Sequence, residues 1–173
     1  MDLEAYKYLT EARGIDEAVA EYAHWRSNAF EYVIPYFDAQ GNERMVRYHD
    51  PNGKPKYRSA PGSKGHLYCV ENVRFESVVI CEGEIDTLSI ISAGFKAVGV
   101  AGANSFFRPW RHLLDHVDDL LIAFDGDAAG IEGAGKIKSV LSHARIVEMP
   151  EGKDLNDILL EEGPQGIRKV LGK

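Results

Sequence analysis

Cysteine is scarce: the chain has two in 173 residues, Cys69 and Cys81, each inside an apolar run and neither in a CxxC pair. That leaves no zinc ribbon and no secreted disulfide framework. Long apolar runs are missing too, since none approaches the ~18 residues that a membrane helix needs. The first thirty residues carry many charges, which is not the pattern of a signal peptide. The expectation is a soluble, cytoplasmic protein with no membrane partner. Positive charge is in deficit, with 20 Lys and Arg against 27 Asp and Glu and a formal net charge of −7. A protein that simply coats nucleic acid would not be so acidic. Hydrophobic content of 45% and charged content of 27% are globular values, enough for one ordinary domain or a domain with a small appended one.

What is present centres on Phe124 to Gly130, FDGDAAG. The run before it, Leu120 to Phe124, has strand length and no polar residue, and a helical stretch follows. Asp125 and Asp127 then sit at the carboxyl end of a buried strand, where open α/β sheets bind ligands. Gly126 is expected to free the backbone to bend between them. Alternate carboxylates in an extended stretch point the same way, and hard oxygens on one side suit Mg²⁺. A solvated turn or a helix cap fits the same triplet. A calcium loop does not, because Ala129 and Lys136 stand where its fifth and twelfth ligands belong.

In chain order, Leu3 to Leu9 reads as a helix stopped at Arg13-Gly14, and Asp16 caps a second helix through about Trp25. Tyr32 to Phe37 and Met45 to Tyr48 read as strands joined by the turn Asp38 to Gly41, with another turn at Asp50 to Gly53. His66 to Val70 reads as one more strand. Between Tyr36 and His66 lie six basic residues, Arg44, Arg47, Lys54, Lys56, Arg58 and Lys64, against three acidic ones, Asp38, Glu43 and Asp50. Such a platform, with Tyr36, Tyr48 and Tyr57 interleaved, suits phosphates and stacked bases. A solvated hairpin face explains it equally well.

From Ser77 the pattern is strand and helix in alternation. The strands are Ser77 to Cys81, Ala97 to Val100, Leu120 to Phe124 and Arg145 to Met149. Helices run to about Ser92, from Pro109 to Val117, to about Ser142, and from Leu155 to Glu162. This predicts an α/β fold, a mostly parallel sheet with helices on both faces. A small α+β subdomain (1–75) with an antiparallel platform would precede the α/β subdomain (76–173). Glu82, at the end of the first parallel strand, joins Asp125 and Asp127 at one sheet edge. Three uncompensated carboxylates there imply a cation, and Asp86, one helical turn after Glu82, could extend the cluster. His112 and His116 have the spacing of a zinc pair but no third ligand, so a surface pairing is expected. The Gly99 to Ser105 loop reads as a wall of the site, with Asn104 and Ser105 as supporting donors. Cys81 reads as a small buried residue at its strand end.

EGEID (Glu82 to Asp86) after one strand and DGD (Asp125 to Asp127) after a later one resemble the two signature motifs of the TOPRIM domain. The chain is most similar to the RNA-polymerase domain of bacterial and phage DNA primases. YLTEARGI (Tyr8 to Ile15), IPYFDAQGN (Ile34 to Asn42), PKYRSAPG (Pro55 to Gly62) and LYCVENV (Leu67 to Val73) resemble the upstream half of that family. EGKDLNDIL (Glu151 to Leu159) resembles its downstream acidic segment. The resemblance implies a nucleotidyltransferase that makes short RNA on single-stranded DNA from nucleoside triphosphates, with Mg²⁺ or Mn²⁺. It makes Glu82 a metal ligand or general base, and gives Asp125 and Asp127 the metal that clamps the triphosphate. Asp154 and Asp157 would complete the acidic site, although Asp154 could equally cap the helix after it. Asp86 would support them, and Arg44, Arg47, Lys56, Arg58 and Lys64 would receive phosphates. Family members usually begin with a zinc-binding module, and phage relatives often continue into a helicase. Neither is legible here, so the expectation is either a stand-alone catalytic core or one whose zinc-binding and helicase parts lie on other chains, with a replicative helicase or a separate zinc-binding protein as partner. Two alternatives stay open, a small TOPRIM nuclease and a non-catalytic replisome or nucleic-acid-binding module. A topoisomerase is not expected, because no second domain carries a strand-passing tyrosine.

Overall fold

The computed structural model describes residues 2–106 and 108–173. The chain opens with helix α1, Leu3–Lys7, which widens into a π-helical stretch at Tyr8–Ala12. Asp2 caps it by accepting the Ala5 N–H. Helix α2, Glu17–Tyr22, is capped by Asp16, which accepts from Ala18 and Val19 as the sequence predicts. It ends before Trp25 because His24 turns left-handed, with φ 53°.

Four antiparallel strands follow in chain order: β1 (Arg26–Ser27), β2 (Tyr32–Phe37), β3 (Glu43–His49) and β4 (Tyr57–Ser59). The long pair matches the expected platform, while β1 and β4 are too short to leave a periodic signal. The expected strand His66 to Val70 is not formed. Tyr68 makes a single antiparallel bridge to Gly99. Cys69, at φ 55°, then throws the chain into a 3₁₀ turn over Val70–Arg74.

The remaining elements are β5 (Ser77–Cys81), α3 (Glu84–Ser92), β6 (Ala97–Gly99), α4 (Arg111–Leu114), β7 (Asp119–Ala123), α5 (Ala128–Val140), β8 (Arg145–Ile146) and α6 (Leu155–Leu171). Their strands form a parallel sheet in the order β6-β5-β7-β8. This is the α/β architecture expected. Alternation along the two central strands builds a core on each face. Val78, Ile80, Leu120 and Ile122 pack with Leu114 of α4 and Ile137 of α5. Val79, Cys81, Leu121 and Ala123 pack with Leu88 of α3 and Ile158 of α6. Each such fully buried aliphatic side chain contributes about 1.5–3 kcal/mol. The second core continues without a break into Leu9, Trp25, Ile34 and Tyr36, so the antiparallel sheet sits against the α3/α6 side.

The larger differences in extent from the sequence expectation fall in the second half of the chain. The segment expected as Pro109 to Val117 is a 3₁₀ turn, Arg108–Trp110, leading into one turn of α4. Helix α5 stops two residues early, at Val140. Strand β8 keeps only two residues, because the chain then leaves the sheet for a loop at 150–153 that packs against Gly126. Helix α6 runs past Glu162 to Leu171, broken at Gly163 (φ 66°), with Pro164 starting its second segment.

Candidate active site

The carboxyl ends of β5 and β7 open into a cleft of about 280 Å³ between the parallel sheet and the antiparallel platform. Glu82, Asp86, Asp125 and Asp154 line it together with Arg13 and Lys56. The acidic edge is assembled by close backbone contact. Gly126 donates to Lys153 O (2.9 Å) and accepts from Gly152 N (3.0 Å). A Cβ at Gly126 would lie 2.0 Å from Pro150 O, so glycine is required by the approach of the 150–153 loop rather than by a bend. That loop carries Asp154 toward Asp125. A Cβ at Gly130 would likewise lie 2.3 Å from Asp125 O, which holds the start of α5 against the turn.

Helix capping and site building share the same acids. Asp127 caps α5 by accepting Gly130 N–H at 2.7 Å and is exposed, outside the cleft lining. Asp154 and Asp157 form a reciprocal capping box at the start of α6. Their charges still act on the cleft. Burial, and then Glu82, Asp154, Asp127 and Asp157, push Asp125 up to about 7. Burial, then Asp154 and Asp125, holds Asp86 well above the usual carboxylate range. Burial also raises Glu82, against the Ala103 N–H that donates to its Oε1 at 3.1 Å. Ala103 is thus the loop donor to the site. Asn104 instead accepts from Lys136, and Ser105 donates to Ala101 O. His116 bonds Val73 O, consistent with a surface role.

The five basic residues separate by strand geometry. Side chains alternate along β3, so Arg47 and His49 face inward while Arg44 and Tyr48 face outward. Arg58 pairs in register with Tyr48, and its guanidinium sits 4.0 Å from that ring, with its charge on Glu31 at 2.6 Å. Arg44 lies 3.8 Å from Asp38. Lys64 is exposed. Of the five, Lys56 and Arg47 line the cleft, and Arg47 is only 9% exposed, paired with Glu84 at 2.6 Å.

Several residues of the cleft carried no role in the sequence analysis. Arg13 donates from Nε to the Tyr8 hydroxyl (2.9 Å), leaving that hydroxyl to donate to His49 Nε2 (2.7 Å). His49 Nδ1 is then the protonated nitrogen and donates to Lys56 O (3.3 Å). The imidazole is 1% exposed, and burial lowers its pKa to about 4, so it stays neutral. Asn156 ties Arg13 O and Ser89 Oγ through its Nδ2, and its backbone N–H donates to Asp86. Arg13 lies in the YLTEARGI stretch, at the expected helix end, and Asn156 lies within EGKDLNDIL, between Asp154 and Asp157.

A divalent ion fits the donor set. Glu82, Asp86, Asp125 and Asp154 offer hard carboxylate oxygens, and Glu82 Oε2 is buried without a hydrogen-bond partner. Among the described residues, no three Asp, Glu, His or Cys side chains form a ready-made cage.

Comparison with known proteins places the chain. The Toprim-like family matches residues 79–159. The Gene 57 protein of Mycobacterium phage D29 is 37% identical over 118 residues, 67% of this chain and 78% of that protein. The DNA primase of Legionella pneumophila is 26% identical over 167 residues, 78% of this chain and 29% of that one. The chain thus spans most of the phage relative but less than a third of the bacterial primase. Among solved structures, the primase fragment of the bacteriophage T7 primase-helicase protein superposes with a TM-score of 0.80 at 20% identity, covering 93% of this chain and 72% of that one. The DnaG primase catalytic domain bound to ssDNA gives 0.78 at 18% identity, covering 97% and 71%. With its two acidic turns at the ends of β5 and β7, the chain belongs to the TOPRIM superfamily, in one family with the mycobacteriophage Gene 57 protein, and has the fold of primase catalytic cores.

Proposed function

We propose that the chain is a DNA primase catalytic core, a nucleotidyltransferase that joins ribonucleotides on a single-stranded DNA template. The observation that carries this is that Glu82, Asp86, Asp125 and Asp154 line one cleft together with Arg13 and Lys56. Residues 1–75 would supply the phosphate-facing wall and residues 76–173 the carboxylates. Relatives named DNA primase support the assignment.

Glu82, Asp125 and Asp127 would hold Mg²⁺ or Mn²⁺, with Asp86, Asp154 and Asp157 completing the acidic field. When bound, the ion neutralises triphosphate charge, activates the 3′-hydroxyl and stabilises pyrophosphate as it leaves. The Ala103 N–H fixes Glu82 through Oε1, so that Oε2 is left to take a metal bond or the hydroxyl proton. Lys56 and Arg13 offset phosphate charge and orient the triphosphate, the positioning that phosphoryl transfer chiefly needs. Arg44 and Arg58 are engaged by acids, so affinity for template alone is weak and falls with salt. No helix among the described residues is long and apolar enough to cross a membrane. The T7 primase-helicase neighbour, and an Aquifex aeolicus neighbour with zinc-binding and RNA polymerase domains, suggest the partner classes: a replicative helicase or a separate zinc-binding protein.

A nuclease using the same acids is the competing chemistry, but hydrolysis by water has no need of a wall that binds triphosphate. Incubation with single-stranded DNA, labelled ribonucleotides and Mn²⁺ separates the two. New RNA of a few to some tens of nucleotides, lost in Glu82→Gln, is the expected outcome. Shortened template with no new RNA would replace primase by nuclease.

A further inference from the structure

Glu84 lies between Glu82 and Asp86 at the start of α3 and belongs to the same cleft lining, yet its side chain is buried against the antiparallel sheet. Its side chain is 2% exposed. One oxygen, Oε1, accepts both the Tyr36 hydroxyl and Arg47 Nη1, each at 2.6 Å. The two donors come from β2 and β3 of the antiparallel sheet, and the acceptor comes from the parallel-sheet half. Tyr36 is wholly buried, and burial, then the Glu84 charge, keeps its hydroxyl protonated and able to donate.

Burying an arginine and a glutamate costs several kcal/mol in lost hydration, so such a pair is weak evidence for stability alone. Its position has a clearer consequence. Arg47 is itself part of the cleft lining, and Lys56 sits on the segment that leads into β4, whose His49↔Tyr57 pairing begins one residue later. On the other side, Glu84 is two residues from Glu82 and two from Asp86. The bond therefore joins the two halves of the protein whose residues line the cleft.

We propose that Glu84 is a positioning residue whose reach, across to Tyr36 and Arg47, sets the separation between the basic wall and the carboxylate edge. This rests on the primase assignment, in which a metal-bound triphosphate must touch both walls at once. A triphosphate spans the cleft in the ground state and the transition state alike. Loss of the correct separation then weakens binding uniformly, raising KM with little change in kcat.

Two conservative variants separate reach from charge. Glu84→Asp keeps the charge and withdraws the carboxylate by one methylene, while Glu84→Gln keeps an oxygen at full reach and loses the charge. If the pair served stability alone, Gln would be the more harmful, because it leaves Arg47 buried and uncompensated. Positioning gives the opposite order. Glu84→Asp is expected to raise the ribonucleotide KM by about tenfold with kcat within about threefold, and Glu84→Gln to stay within about threefold in both. The assay runs well below each variant's melting temperature. Tyr36→Phe, which removes one tether and keeps the other, is expected to raise KM about threefold, and it answers the question should Glu84→Asp not fold. Equal KM values in the folded variants, or Gln worse than Asp, overturn the proposal.

Equilibrium affinity for Mn²⁺–ATP in the same variants keeps this distinct from the primase assignment. If the wild type binds the nucleotide but makes no RNA, the primase assignment fails, and the order of affinities decides the positioning role by itself. If the wild type does not bind the nucleotide, both fail.

Discussion

Asp125→Asn lowers RNA synthesis by about 10²–10³-fold, the range seen when one group that stabilises developing charge is removed. The same variant is more stable than the wild type above neutral pH. Asp125 carries the highest density of neighbouring acid, with burial first and four carboxylates after it pushing it up to about 7. In the unfolded chain it ionises near the ordinary aspartate value of 3.8. Below that value both states hold the proton and nothing is lost. As pH rises from about 4 to about 7, only the unfolded state gives up its proton, so folding weakens. Above about 7 the folded state carries the full repulsion. Asparagine has the shape of the protonated acid and never ionises. The stabilisation by Asp125→Asn is therefore largest near pH 8 and vanishes near pH 4, readable as melting temperature against pH. Adding Mn²⁺ raises the wild-type melting temperature and not that of the variant. A group that harms the fold while the reaction depends on it is the pattern of a site arranged for function.

Gly126→Ala is the second large effect, and here stability and activity fall together. Its new methyl would meet Pro150 O at 2.0 Å, a backbone atom with no rotamer to yield. The 150–153 loop must back away, breaking the bonds between Gly126 and residues 152 and 153. Overpacking of this kind costs about 1–3 kcal/mol, or roughly 5 °C in melting temperature for a chain of this size. The loop also carries Asp154, so the acidic edge opens. A misplacement near 1 Å is enough to cost about 10²-fold in rate. Gly135→Ala is the matched control, because a Cβ there meets nothing within 4 Å. It should leave activity unchanged and raise the melting temperature by a few degrees, since alanine is about 1 kcal/mol better than glycine inside a helix such as α5.

These two positions mark what could be read locally and what could not. A strand, an acidic turn and a helix in succession are all within a few residues, so the ends of β5 and β7 were legible, and with them the parallel sheet. The reason for Gly126 was not, because its constraint comes from Pro150, which sequence patterning cannot bring to it. The same holds for Glu84, whose partners Tyr36 and Arg47 are 48 and 37 residues away. Arg44 and Arg47 could have been told apart from the sequence. They are an odd number of residues apart on one strand and so face opposite ways. His66 to Val70 is apolar enough for a strand, and only the left-handed Cys69 ends it, which composition does not reveal. Asp127 and Asp154 fitted a cap and an acidic site equally well in sequence. In the fold both cap helices and their charges also raise Asp125, so the two readings do not exclude each other.

The central claim is that this cleft joins nucleotides in an order set by a template. It is tested most directly on a single-stranded DNA of defined sequence with Mn²⁺ and three of the four ribonucleotides, comparing product length as the omitted nucleotide is varied. Templated synthesis predicts RNA that ends one position before the first template base requiring the missing nucleotide, and that moves with it. Products of unchanged length whichever nucleotide is withheld, or template shortened with no RNA made, would contradict it.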